Sequence, residues 1–235
     1  SRLLRVASGL IILLFFTFYV SSGMVAGGVF FESSFGLDYH TGLLVVSAVV
    51  VAYTLFGGFL AVSYTDFLQG LLMFLALICV PIFGVFMTGG IGETVESIKA
   101  VNPTHLSLIA GTTAAGIISS IAWGLGYFGQ PHIIVRFMAI SSVKETKQAR
   151  RIGIGWMILS LLGAITTALV GVAYYQQNPE LSLSSPEAIF IALGQVVFHP
   201  FIAGLVLAAV LAAIMSTISS QLIVTSSALI EDLYK

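Results

Sequence analysis

Apolar residues run along the chain in long blocks separated by short polar or turn-forming stretches. Blocks of about 20 residues, the length that crosses roughly 30 Å of hydrocarbon as a helix, predict spans. Six stand out: 6–31, 41–61, 67–88, 112–139, 152–175 and 200–230. Helices are required because backbone groups in lipid must pair within their own segment. None of the blocks shows the two-residue alternation of a membrane barrel strand. Two connecting stretches read as short surface helices. One is "GETVESIKAV" at 92–101; the other is "SPEAIFIALGQVVF" at 185–198, with Ser185 and Pro186 as cap and first turn. His199-Pro200 divides the second from the span that follows.

Composition strengthens this all-α membrane assignment. Of 235 residues, 58% are hydrophobic and 8% are charged, against roughly 25% charged in a soluble domain. A soluble fold of this size has no interior for so much apolar surface. The opening block is too long for a secretory leader's core and has no cleavage-like stretch, so it is expected to be a real span. The chain opens on Ser1 rather than Met, and a piece of a longer protein is expected. A single cysteine, Cys79, excludes a disulfide framework or thiolate cluster.

The charges are few but unevenly placed. With six spans, one side receives Arg2, Arg5, Arg136, Lys144, Lys147, Arg150, Arg151 and Lys235, and the other receives Lys99. The positive-inside rule then puts both ends in the cytoplasm. The opposite loops hold Glu32, Asp38, Glu93, Glu96, Glu180 and Glu187. The run "VKETKQARR" reads as a cytoplasmic anchor at the membrane surface, with no nucleic-acid role.

Transporter sites sit near the bilayer midplane, often at interrupted helices, which directs attention to the middle of each span. Span 112–139 would be about 42 Å long if straight, and its centre is "WGLGYFGQPH". The embedded G-x-G-x-x-G lacks the preceding strand and water-facing helix start of a dinucleotide loop. Three glycines and Pro131 instead predict a kink or an unwound turn at Gly124 to Gly129. Trp123, Tyr127 and Pro131 follow at i, i+4 and i+8, on one helix face. Flat rings beside loosened backbone suit an amphipathic small molecule; the glycines equally suit close helix packing with the rings filling core.

Span 200–230 carries "AAIMSTISSQLIVTSS", rich in hydroxyls for a hydrophobic helix, with Ala213, Ser216, Thr217 and Ser220 in one arc. Adjacent hydroxyls with a freed Ala213 carbonyl would suit a hard monovalent cation. The same hydroxyls equally suit bonding to their own helix carbonyls. Tyr19 lies mid-span in 6–31, either facing a substrate or packed in core, and is followed by Gly23 and Gly27 on a small-residue packing face. Asp66, with Gln69 three residues on, reads as a cap at the start of the third span, or as an acid at the cytoplasmic mouth of an ion path. The four histidines have no metal-ligand spacing, and no catalytic constellation appears, so an enzyme is not expected.

The segments "WGLGYFGQPHIIVRFMA", "LAAIMSTISSQLIVTSSALIEDLYK", "YTLFGGFLAVSYTDFLQ" and "ILLFFTFYVSSGMVAGG" together resemble the sodium:solute symporter family, in order and over essentially the whole chain. The resemblance is nearest to its proline-carrying bacterial members. It implies a LeuT-type inverted-repeat fold, of which the six transmembrane helices here would be core helices three to eight. It implies sodium-coupled import of proline across the bacterial plasma membrane, with Na+ as the co-transported ion. By that resemblance Ala213 (carbonyl), Ser216 and Thr217 hold sodium. Trp123, Tyr127 and Pro131, with Tyr19, surround proline, and Asp66 lies on the inward sodium path. A symporter for a sugar, carboxylate or vitamin, or the membrane domain of a sensor, is the alternative.

Overall fold

The computed structural model of the chain describes residues 2–127, 129–183 and 185–234. Lys235, counted above in the charge asymmetry, Phe128 of the glycine-rich stretch and the side chain of Trp123 lie outside the described residues. All regular structure among the described residues is helical. In order come α1 (Arg2–Phe35), α2 (Tyr39–Met87), α3 (Ile91–Val101), α4 (Ala114–Tyr127), α5 (Pro131–Met138), α6 (Val143–Gln177), α7 (Ile189–Val197) and α8 (Pro200–Ser227). Short 3-10 turns precede α4 and α7, at Pro103–Leu106 and Pro186–Ala188, and a π-helical turn, Ala228–Tyr234, extends α8. Among the described residues, four helices are long and apolar enough to cross a membrane: α1, α2, α6, and α8 with its extension.

At 49 residues α2 would run about 73 Å if straight, far beyond a bilayer's hydrocarbon. Gly58, at φ 56° and ψ −157°, breaks it into 39–57 and 59–87. Only glycine enters that backbone region at little cost. The sequence put the boundary later, at 62–66, where polar residues cluster. Those residues are helical instead, because Ser63 and Thr65 donate their hydroxyls to the Phe59 and Val62 carbonyls. Asp66 is therefore inside a helix, and its expected role as a helix-start cap is corrected.

The short connecting helices follow from their caps. Ser185 accepts from the Glu187 amide at 3.3 Å and Pro186 opens the turn that leads into α7. Phe198 is extended and α8 starts at Pro200. Ser142 caps α6 by accepting from the Glu145 amide.

The chain forms two compact units, Ser1–Met73 with Pro200–Lys235, and Phe74–His199. The first is built on the crossing of α1 and α8. Val20, Val46, Val50 and Ile218 form its core, with Met24, Phe31, Tyr53 and Met215 packed around them. Close approach is possible because a Cβ at Gly23 would lie 2.6 Å from Ile218 Cγ1, and one at Gly27 3.0 Å from Val46. These are the two glycines of the small-residue face read from the sequence, and the approach supplies the dispersion contacts that hold helices together in lipid.

The second unit packs α3 against α6. Ile98 of α3 is buried, and the Thr88 and Thr94 hydroxyls meet at 2.6 Å. Gln177, at the end of α6, donates from Nε2 to the Thr88 carbonyl at 3.1 Å and to Ser97 Oγ at 2.9 Å. Around both units large apolar side chains point outward, among them Phe56 at 88% exposure and Leu55 at 76%. Such a surface matches hydrocarbon rather than water.

Candidate functional site

The hydroxyl-rich stretch lies in the unbroken middle of α8. Ser216 Oγ and Thr217 Oγ1 both donate to the Ala213 carbonyl, each at 3.1 Å. That carbonyl is thus not released by a broken turn, as the sequence had suggested; its oxygen and the two hydroxyls meet within an intact helix. Back-bonding of this kind lets Ser and Thr sit in an apolar helix. It also leaves the lone pairs of both hydroxyl oxygens available to a cation, since each hydroxyl spends only its proton. All three residues are half-buried.

One turn further on, Ser220 is buried and places Oγ 2.8 Å from the Ser216 carbonyl and 3.1 Å from Asp66 Oδ2. Asp66, half-buried on the 59–87 segment of α2, is in this way joined to the hydroxyl ladder of α8 within the first unit. A second tether of this kind runs from Tyr53 Oη to the Met215 carbonyl at 3.1 Å. The two tethers straddle Gly58, so the chain on either side of the break is held to α8. In the sequence the one signal for Tyr53 is a phenol in the apolar run "VVVAYTLF". Ser219 and Gln221 of α8 are also fully buried, and the Gln221 amide has no hydrogen-bond partner among the described residues.

Tyr19, on α1 in the same unit, is 40% exposed. It lies about 100° around the helix from its buried neighbour Val20 and so off the packing seam. In the second unit, Tyr127 ends α4 with 43% exposure, and Pro131 is the first residue of α5. The chain leaves the helix between them. Gly129 lies in a turn, with its amide 3.2 Å from the Gly126 carbonyl, and Gln130 is extended at φ −67° and ψ 114°. Gly124 and Gly126 are helical, so the interruption falls later than the glycine pattern suggested. Pro131 accounts for the position, because its ring pushes the preceding residue out of the helical region. Trp123 has its backbone in α4.

The fold and these buried polar contacts define a multi-pass α-helical membrane protein. The sequence profile of the Sodium:solute symporter family matches residues 1–235, and the chain belongs to that family. It is 66% identical over all its 235 residues to the high-affinity proline transporter PutP of Bacillus subtilis, covering 50% of that protein. It is 57% identical to the osmoregulated proline transporter OpuE of the same organism, covering 48% of it. Identity to a sodium/proline symporter of Staphylococcus aureus is 54%, with 46% of it covered. The chain therefore spans about half the length of the curated relatives it matches. No solved structure matches it.

Proposed function

We propose that this chain is part of a sodium-coupled symporter that imports proline across the plasma membrane, with Na+ and proline as its two cargoes. The observation that carries the reading is the meeting of the Ala213 carbonyl with the Ser216 and Thr217 hydroxyls in mid-span, in a chain 66% identical to a proline transporter. Neutral oxygens at close quarters suit a hard monovalent ion, which a softer donor set would not.

In this reading α2 contributes two spans, divided at Gly58, and α4 with α5 make one span broken at 129–130. The six spans are then core helices three to eight of a LeuT-type inverted repeat, with both ends in the cytoplasm. Trp123, Tyr127 and Pro131 hold proline and Tyr19 contributes from α1. The break puts the start of α5 in mid-span, where the helix dipole favours a carboxylate. Asp66 receives the sodium ion on its way inward. Coupling follows if each cargo strengthens the binding of the other, by about 1–3 kcal/mol in typical cases.

Full-length protein in proteoliposomes is expected to accumulate labelled proline only under an inward sodium gradient, and an excess of other solutes should not compete. Replacing Ser216 and Thr217 together by Ala removes two of three oxygens. The sodium concentration for half-maximal uptake should then rise about tenfold or more. An unchanged sodium dependence in that variant would overturn the ion assignment.

A further inference from the structure

Ser220 stands between the two ends of the proposed ion route. Its oxygen is 2.8 Å from the carbonyl of Ser216, whose own side chain belongs to the candidate sodium site, and 3.1 Å from the carboxylate of Asp66. A serine hydroxyl has one proton and cannot satisfy both acceptors fully at once. We propose that Ser220 positions Asp66 as the inner acceptor of the departing sodium ion, its single proton passing from the carboxylate to the Ser216 carbonyl as the ion arrives. The proposal rests on the symport reading above.

With no ion at the inner position, the hydroxyl donates to Asp66 Oδ2, which stabilises the charged carboxylate in a half-buried setting and holds the chain around Asp66 against α8. A sodium ion leaving Ser216 and Thr217 travels one helical turn, about 6 Å along α8, to reach this level. There it replaces the hydroxyl proton as the positive partner of the carboxylate. Rotation about the Cβ–Oγ bond swings the proton to the Ser216 carbonyl and turns the oxygen lone pairs toward the ion. The ion then meets a carboxylate and a hydroxyl, both hard oxygen donors. No bond to carbon forms or breaks, and the proton never leaves Ser220. Without the hydroxyl, Asp66 loses a donor and this link to α8.

A merely structural tether would disturb both faces of the transporter alike, whereas an inner way-station acts on the cytoplasmic side. The test uses full-length protein in proteoliposomes of known orientation, with sodium varied separately on each face. Wild type must first show sodium-driven proline uptake; if it does not, the functional reading itself falls, independently of Ser220. Given that uptake, Ser220→Ala is expected to raise the half-saturating sodium concentration at the cytoplasmic face about five- to tenfold. The value at the outer face should move less than about twofold, the resolution of non-interacting sites. Ser220→Thr keeps the hydroxyl and should restore wild-type behaviour. Asp66→Asn should reproduce the one-sided effect, and adding Ser220→Ala to it should change nothing further. If Ser220→Ala does not accumulate in the membrane, Ser220→Cys, similar in size with a weak donor, carries the same comparison. An equal shift at both faces, no shift, failure of the Thr variant to restore, or additivity with Asp66→Asn overturns the proposal.

Discussion

At Gly23 the crossing of α1 and α8 leaves room for a hydrogen atom and nothing larger, with Ile218 Cγ1 2.6 Å from where a Cβ would stand. Gly23→Val should therefore overpack the seam and cost about 1–3 kcal/mol, seen as a lower midpoint in thermal unfolding of the purified protein. Ile218→Ala in the same chain should recover part of the loss, because it empties the space that the new side chain needs. The sequence made Gly23 and Gly27 legible through their four-residue spacing, since a helix puts such residues on one face. It also marked Ser216, Thr217 and Ser220 as one hydroxyl arc. What it could not give was the partner of Ser220, because Asp66 is 154 residues upstream. Contacts at that separation follow from how helices pack, and no local period encodes them.

Helix boundaries were legible where the stop is covalent and blurred where it depends on competing hydrogen bonds. Pro186 and His199-Pro200 begin or divide elements as their chemistry demands. The break in α2 was expected at a polar cluster and falls at Gly58, since Ser63 and Thr65 satisfy themselves within the helix. The break after α4 follows Pro131 more than the glycines before it. Pro131→Ala lifts the restriction on Gln130 and supplies the missing amide, so α4 should run on toward α5. Hydrogen exchange at Gln130 and His132 is expected to slow in that variant, and, on the proposed symport reading, proline uptake by the full-length protein to fall because the break is lost. Exchange as fast as in wild type would show that Pro131 does not set the break.

For the molecule as a whole, eight of nine basic residues fall on one side of a six-span arrangement. Lys99 on α3 and Lys147 on α6 are both exposed and sit on opposite sides in that arrangement. In a Cys79→Ala background, Lys147→Cys should react with a membrane-impermeant thiol reagent in inside-out vesicles only. Lys99→Cys should react in right-side-out vesicles only. Labelling of both from the same face would overturn the six-span count. The outward-facing Phe56, Leu55, Phe86 and Phe201 belong to the same scale: they are tolerable because a bilayer, not water, surrounds them.

Composition and block length were enough to establish an all-helical membrane protein, because the bilayer imposes one backbone solution on any apolar run of sufficient length. The ordered segments were enough to place it in its family. The candidate ion oxygens were also legible, since Ala213, Ser216 and Thr217 lie within one turn of one helix. The Gly58 break, the Tyr53 link to Met215 and the Ser220 link to Asp66 emerged from packing alone. Each depends on which face of one helix meets another, and that is chosen by the fit of side chains far apart in the chain.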